Sequence, residues 1–198
     1  MLERGQRLLT RKLALRAARV YDVAPAAVPP ARRELHARVD AASLARDLAG
    51  LGYPGVAYLR SRQWRLRNPG EVLLTALAQD DLEARLVEAL PWLVLRYWSL
   101  DWNWVVREAK AHDLQNRLGF VVSLARSLAD VSEDRQRARA LDDLEGRLDR
   151  SRLAREDTLC RASLTEPERR WLAENRPELA RHWNLLTDWT AEALRYAA

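Results

Sequence analysis

The chain has 198 residues, and 48% of them are apolar, which is enough for a buried core and excludes wholesale disorder. Its one cysteine, Cys160, excludes an intramolecular disulfide, and no run of about 18 apolar residues could form a membrane-spanning helix. Alanine, leucine and arginine dominate and isoleucine is absent, so we expect an all-α protein, a compact multi-helix bundle. No apolar stretch follows the basic first residues, and we expect no secretory signal and a cytoplasmic location.

The net charge of +5 is distributed unevenly along the chain. Residues 1–70 contain 14 basic and 5 acidic side chains, whereas residues 71–198 contain 19 and 23. This asymmetry indicates an anionic partner for the basic part. All but two of the basic residues are arginines, which suits bidentate phosphate contacts and is also typical of a GC-rich genome. We therefore divide the chain into a basic region, 1–70, predicted to contact nucleic acid, and a helical body, 71–198.

A basic amphipathic helix is predicted over residues 4–21. Leu9, Leu13 and Val20 share its apolar face, and basic side chains occupy the others. The residues of this helix predicted to contact nucleic acid are Arg11, Lys12, Arg16 and Arg19. A surface helix docked on the body, or one lying on a membrane surface, is the alternative. The proline-rich linker VAPAAVPPA, 23–31, ends the helix and favours extended backbone.

The next segment contains the densest mixture of basic and aromatic residues. A short helix capped by Asp40 is predicted over 40–48, followed by a turn at Pro54-Gly55. The residues predicted to contact nucleic acid here are Arg60, Arg62, Trp64, Arg65 and Arg67. A small helix-turn-helix or winged element near 40–67 is one interpretation, and a loop whose arginines pair with the acidic body is the other. Asn68-Pro69-Gly70 is predicted to close the segment.

Near-continuous helices are predicted from Glu71 onward. The first two span 71–79 and 81–90, and a new helix begins at Pro91. The next is capped by Ser99 or Asp101, and two more span 114–129 and roughly 133–157. A capping box that starts at Thr165 begins another helix, and Asn175 is predicted to cap a last one. That last helix would place Trp183, Leu186 and Trp189 at helical spacing.

Four tryptophans occur within residues 92–104, and they are Trp92, Trp98, Trp102 and Trp104. Only one basic residue, Arg96, lies among them, so this stretch does not resemble a stacking platform for bases. Their helical spacing among aliphatic residues favours a buried seam. A protein interface that includes Trp98 and Trp104 is the alternative, because tryptophan and arginine are favoured at interfaces.

The sequence shows no pattern that is typical of catalysis. The three histidines and the one cysteine have no metal-ligand spacing, and no glycine-rich phosphate loop or nucleophile motif is present. We therefore expect neither an enzyme, nor a bound metal, nor a cofactor.

Three stretches carry a family resemblance: EALPWL (88–93), LDW (100–102) and NRLGFVVSLA (116–125). They resemble the helical portion of bacterial antitoxin-type transcriptional regulators that accompany nucleotidyltransferase-like abortive-infection toxins. The resemblance implies a cytoplasmic defence or regulatory protein that works by binding and needs no cofactor.

Three functions stay open at this point. The first is a DNA-binding regulator or antitoxin that acts through its basic region, with DNA favoured over RNA. The second is a protein-interaction subunit, such as an antitoxin or assembly factor, that binds a partner such as a cognate toxin through Trp98 and Trp104. The third is an RNA-binding helical subunit of a ribonucleoprotein. A homodimer is a further expectation, and a membrane partner is not expected.

Overall fold

The structure is a computed structural model that describes residues 16, 20–21, 24–28, 39–61 and 67–194. Its α-helices are α1 (Ala41–Leu51), α2 (Pro69–Leu77), α3 (Ala84–Arg96), α4 (Trp102–Ala111), α5 (Gln115–Val131), α6 (Arg135–Asp149), α7 (Glu166–Asn175) and α8 (Glu178–His182). Short 3-10 turns span Pro25–Ala27, Pro54–Leu59 and Ala191–Ala193. Two short strands, β1 (Asp157–Thr158) and β2 (Leu185–Leu186), pair in parallel. The predicted all-α class and multi-helix fold are confirmed.

Helix α5 is the centre of the fold. Every residue from Gln115 to Ala125 is buried, so this helix has no solvent-facing side over three turns. It packs against α6 along one flank and against α3 along another. A helix covered on all sides needs partners around it, and the apolar faces of α3 and α6 supply them. The apolar residues of α6 that face it, Leu141, Leu144 and Leu148, are all buried.

The core continues across the predicted boundary at residue 70, which falls inside α2. Leu44 and Leu48 of α1 are fully buried in the same cluster as α2 and α3, and Val28 is only 2% exposed. Asn68 caps α2 through its side-chain oxygen and donates to the Val28 carbonyl oxygen at 2.7 Å. The boundary that the charge distribution suggests at residue 70 therefore does not separate two cores among the described residues, because α1 packs as part of the helical body.

Three of the predicted helix starts are confirmed by their hydrogen bonds. Asp40 caps α1 by accepting from the Ala42 amide, and Asp101 caps α4 by accepting from the Trp104 amide. Thr165 forms the predicted capping box of α7, and its amide and hydroxyl both donate to the Glu168 carboxylate. These side chains satisfy first-turn N–H groups that have no partner within the helix.

Two proline positions differ from the prediction. Pro91 begins no new helix, because it lies inside α3, and the two helices expected there are one. Its missing N–H removes a helical hydrogen bond, but α3 continues since the residues on both sides of Pro91 are buried in the core. Pro69 does not close the preceding segment either. It occupies the first turn of α2 directly after its cap Asn68, where proline needs no hydrogen-bond partner.

The C-terminal third departs most from the expected helices. Helix α6 ends at Asp149 and not near 157. The predicted last helix stops at His182, and Pro177, not Asn175, is its cap. Asn184 then takes a positive φ of 53°, a conformation that asparagine tolerates well, and the chain turns into β2. Strand β1 thus lies where the end of the helix 133–157 was predicted, and strand β2 lies within the predicted last helix.

Candidate nucleic-acid interface

Three of the residues predicted to contact nucleic acid lie in the described part of the chain. Arg16 and Arg60 are exposed, and Arg67 is buried. Arg60 directly follows the 3-10 turn Pro54–Leu59. The other predicted contacts lie outside the described residues: Arg11, Lys12, Arg19, Arg62, Trp64 and Arg65. The interpretation of 40–67 as a helix-turn-helix or winged element depends on this same segment and stays a prediction.

Arg67 belongs to the core, and its assignment as a phosphate contact is corrected. Its side chain is 7% exposed, forms an ion pair with Asp47, and donates from Nη2 to the Glu71 carboxylate at 2.6 Å. Burial acts to lower the pKa of Arg67, but the charges of Asp47 and Glu71 outweigh it and raise that pKa above its usual value. The guanidinium joins α1 to the first turn of α2, so a phosphate could reach it only by displacing these carboxylates.

Arg96, the last residue of α3, is a second exposed arginine. The guanidinium carbon of Arg96 lies 5.8 Å from the centre of the Tyr97 ring. The Tyr97 hydroxyl donates to the Leu51 carbonyl oxygen at 2.9 Å, which fixes the ring at the end of α1. Burial raises the pKa of Tyr97, and the positive charges of Arg96 and Arg60 oppose that rise.

The described arginines differ in whether a carboxylate binds them. Within the described ranges neither Arg60 nor Arg96 forms an ion pair, although both are exposed. Arg126, Arg161 and Arg176, by contrast, bind carboxylates at 2.7, 2.7 and 3.0 Å. The stretches 48–70 and 89–100, in which Arg60 and Arg96 lie, contain no acidic residue.

The tryptophan cluster lies partly in the core and partly at the surface. Trp92 is buried, as predicted, and its ring centre lies 5.3 Å from that of Tyr53. Trp102 is half-buried, and its indole nitrogen donates to the Trp98 carbonyl oxygen at 2.7 Å. Trp98 and Trp104 are also half-buried, so each retains some accessible surface. Trp104 lines a cleft of about 450 Å³.

The surroundings of Cys160 and His182 indicate a structural role for both residues. Cys160 is fully buried, as expected for a cysteine that packs as a small apolar residue, and burial raises the pKa of its thiol to about 12. His182 is partly exposed, with Nε2 3.0 Å from Asp149 and Nδ1 3.0 Å from Arg152. Both ring nitrogens thus face charged neighbours at the ends of α6 and α8.

The part of the chain that the structure describes contains neither a metal-binding cluster nor a membrane-spanning helix. No group of three or more histidine, cysteine, aspartate or glutamate side chains there could bind a metal ion. None of its helices combines the length and the apolar character that crossing a membrane requires.

Comparison of the chain with protein-family models, with curated proteins and with solved structures finds no match. The resemblance to antitoxin-type regulators therefore stays a prediction.

Proposed function

We propose that this protein is a non-enzymatic, cytoplasmic DNA-binding regulator of the bacterial antitoxin type, which contacts the DNA backbone through its basic region. The observation that carries the proposal is the concentration of positive charge in residues 1–70, with 14 basic and 5 acidic side chains. Duplex DNA carries one negative charge per about 1.7 Å of its axis, so clustered arginines gain affinity by releasing its counterions.

The ion pairs of the body support this reading of the charge. Asp157, Glu145 and Glu156 each bind an arginine of the body at 3.0 Å or less. These carboxylates are therefore already paired with arginines of the body. Arg16 and Arg60, the two predicted contacts that are both described and exposed, form no ion pair with the described residues. A phosphate could bind them without breaking a salt bridge to any of the described residues.

Neutralising three arginines of the basic region should weaken DNA binding in a salt-dependent way. We expect the full-length R60Q/R62Q/R65Q variant to lose about 0.9 unit of the slope of log Kd against log salt for each phosphate contact removed. Arg67 is left unchanged because it belongs to the core. Fluorescence anisotropy with a labelled duplex across a salt series measures the slope.

The matched control removes the same charge from the body. Arg135, Arg139 and Arg150 are exposed on or beside α6, so R135Q/R139Q/R150Q has the same net charge as the first variant. The proposal predicts a wild-type slope for this control. Equal losses of slope in both variants, or a wild-type slope in R60Q/R62Q/R65Q, would contradict it.

The half-exposed tryptophans favour a second candidate function, that of a protein-interaction subunit. Trp98 retains accessible surface beside exposed Arg96, and tryptophan and arginine together are favoured at the centres of interfaces. A full-length bait should then capture a partner, such as a cognate toxin, that the W98A bait fails to capture. Trp171, which is 55% exposed on α7, provides the control W171A. Equal capture by W98A and by W171A would remove Trp98 from this role.

A further inference from the structure

We propose that Asn68 is a positioning residue for DNA binding, because it holds residues 24–28 on the helical body. Four of the predicted DNA contacts precede this segment in the chain, and they are Arg11, Lys12, Arg16 and Arg19. A segment held on the body gives these basic residues one fixed starting point. This inference rests on the proposed DNA-binding function and adds to it the connection between the first basic residues and the body.

The Asn68 side chain joins two parts of the chain through the two ends of its amide. Its oxygen caps α2 by accepting from the backbone amides of Gly70 at 2.8 Å and Glu71 at 3.3 Å. Its nitrogen donates to the carbonyl oxygens of Val28 at 2.7 Å and Ala26 at 3.4 Å. Only this orientation of the amide satisfies all four partners, since two of them donate and two accept. Asn68 is 7% exposed, so a lost bond would leave a buried polar group without a partner.

Residues 24–28 are part of the fold, although their proline-rich composition alone favours an extended spacer. They form the 3-10 turn Pro25–Ala27, after which the Val28 amide donates to the Pro25 carbonyl oxygen at 3.1 Å. The Val28 residue is only 2% exposed. A buried apolar side chain and the hydrogen bonds of Asn68 therefore hold the same short segment on the body.

Docking of this segment lowers the entropic cost of placing the preceding basic residues on DNA. A segment released from the body gains conformations, and binding must order it again. The apparent Kd then rises in inverse proportion to the docked fraction. The number of phosphate contacts does not change, so the salt dependence of binding keeps its slope. Asn68 thus acts on DNA affinity through position and not through charge.

A role for Asn68 as a helix cap alone makes a different prediction. Aspartate caps helices as well as asparagine does, and its charge is favourable at a helix N-terminus, so N68D would then behave as the wild type. Aspartate has no N–H group for the carbonyl oxygens of Val28 and Ala26, and its negative charge repels them. N68D therefore keeps the cap of α2 and removes the attachment of the segment.

The test compares the full-length wild-type protein with N68D, V28S and N103D. V28S withdraws the apolar anchor without changing the charge or the cap of α2. N103D is the control for the added charge, because Asn103 is exposed and lines the same cleft of about 450 Å³ as Asn68. The Asn103 side-chain oxygen accepts from Arg147 at 2.8 Å, a bond that aspartate keeps.

We expect N68D and V28S to raise the Kd for one labelled DNA duplex about five- to tenfold, with the wild-type slope of log Kd against log salt. N103D should stay within about twofold of the wild-type Kd, since salt screens one exposed charge. Hydrogen exchange measured by mass spectrometry should be faster over residues 24–28 in N68D and V28S than in the wild type and N103D. Melting curves of all four proteins identify any loss of folded protein.

The outcomes separate this inference from the function on which it rests. If exchange over 24–28 becomes faster in N68D and V28S but both bind DNA as N103D does, the inference is overturned and the proposed function stands. Unchanged exchange in both variants also overturns it, because Asn68 then does not hold the segment. If N68D does not fold, V28S alone decides between these results. If the wild-type protein does not bind the duplex at low salt, the proposed function and this inference fail together.

Discussion

Replacing Arg117 by methionine is expected to destabilise the protein by about 3–5 kcal/mol, the cost that is typical of removing one partner of a buried ion pair. The Arg117 side chain is almost fully buried in α5 and binds Asp157 through Nε at 2.7 Å and Nη2 at 2.9 Å. Its Nη1 also donates to the carbonyl oxygens of Leu77 at 2.8 Å and Gln79 at 3.1 Å. Methionine would leave a partly buried carboxylate and two carbonyl groups without these donors.

The pH dependence of the loss follows from the Asp157 carboxyl group. Burial acts to raise its pKa, but the hydrogen bonds and charge of Arg117 outweigh burial and hold that pKa below the usual value. A lowered folded-state pKa contributes stability that is present above the unfolded-state pKa of about 3.9 and is lost as pH falls through the folded-state value. The stability difference between wild type and R117M should therefore be full near pH 7 and shrink below about pH 4.

Urea unfolding of wild type, R117M and a matched R126M variant at several pH values tests this prediction. Arg126 also binds carboxylates, but it is one-third exposed, so we expect its loss to cost within about 1 kcal/mol. The account is contradicted if R117M and R126M lose the same stability, or if the R117M deficit does not change between neutral and acidic pH.

Replacing Trp183 by alanine is expected to cost about 3–5 kcal/mol, the range for truncating a large buried aromatic side chain. Trp183 is fully buried, and its indole nitrogen donates to the Ser123 hydroxyl oxygen at 2.9 Å. Its ring lies directly on Gly119 of α5, where a Cβ atom would stand 2.2 Å from the ring. This contact attaches the segment after α8 to the central helix.

Two further variants distinguish the cost of the cavity that W183A leaves from the cost of crowding the Trp183 ring against Gly119. G119A keeps the indole but adds a methyl group in its path, and we expect a cost of about 1–3 kcal/mol from overpacking. W171A removes a tryptophan that is 55% exposed and should change stability by less than about 0.5 kcal/mol. Thermal or urea unfolding measures all three variants. Equal effects of W183A and W171A would show that Trp183 does not dock the C-terminal segment.

The sequence predicts the helices whose signals are local. Asp40, Asp101 and Thr165 mark helix starts through side chains that reach the next two or three amides, and each cap is confirmed. The buried spine of α6 follows from its apolar spacing. Local signals fail where distant contacts decide the conformation. Pro91 stays inside a helix because α3 is buried, and the chain leaves α8 for a strand because β1 offers a pairing partner.

The site is less predictable than the fold, because burial and proximity arise from tertiary packing. Arg60 and Arg67 belong to one run of arginines, but one is exposed and the other joins two helices. Glu71, four residues after Arg67, is the local signal that could have identified the buried ion pair.

The most direct test of the DNA-binding proposal is the affinity of the full-length wild-type protein for labelled duplex DNA, single-stranded DNA and RNA of equal length across a salt series. The proposal predicts tightest binding to duplex DNA, with log Kd rising linearly with log salt and a slope of about 0.9 per phosphate contact. Tightest binding to RNA would replace the proposal with the RNA-binding alternative. No binding to any of the three at low salt would contradict a nucleic-acid function and leave the half-exposed tryptophans as the surface to investigate.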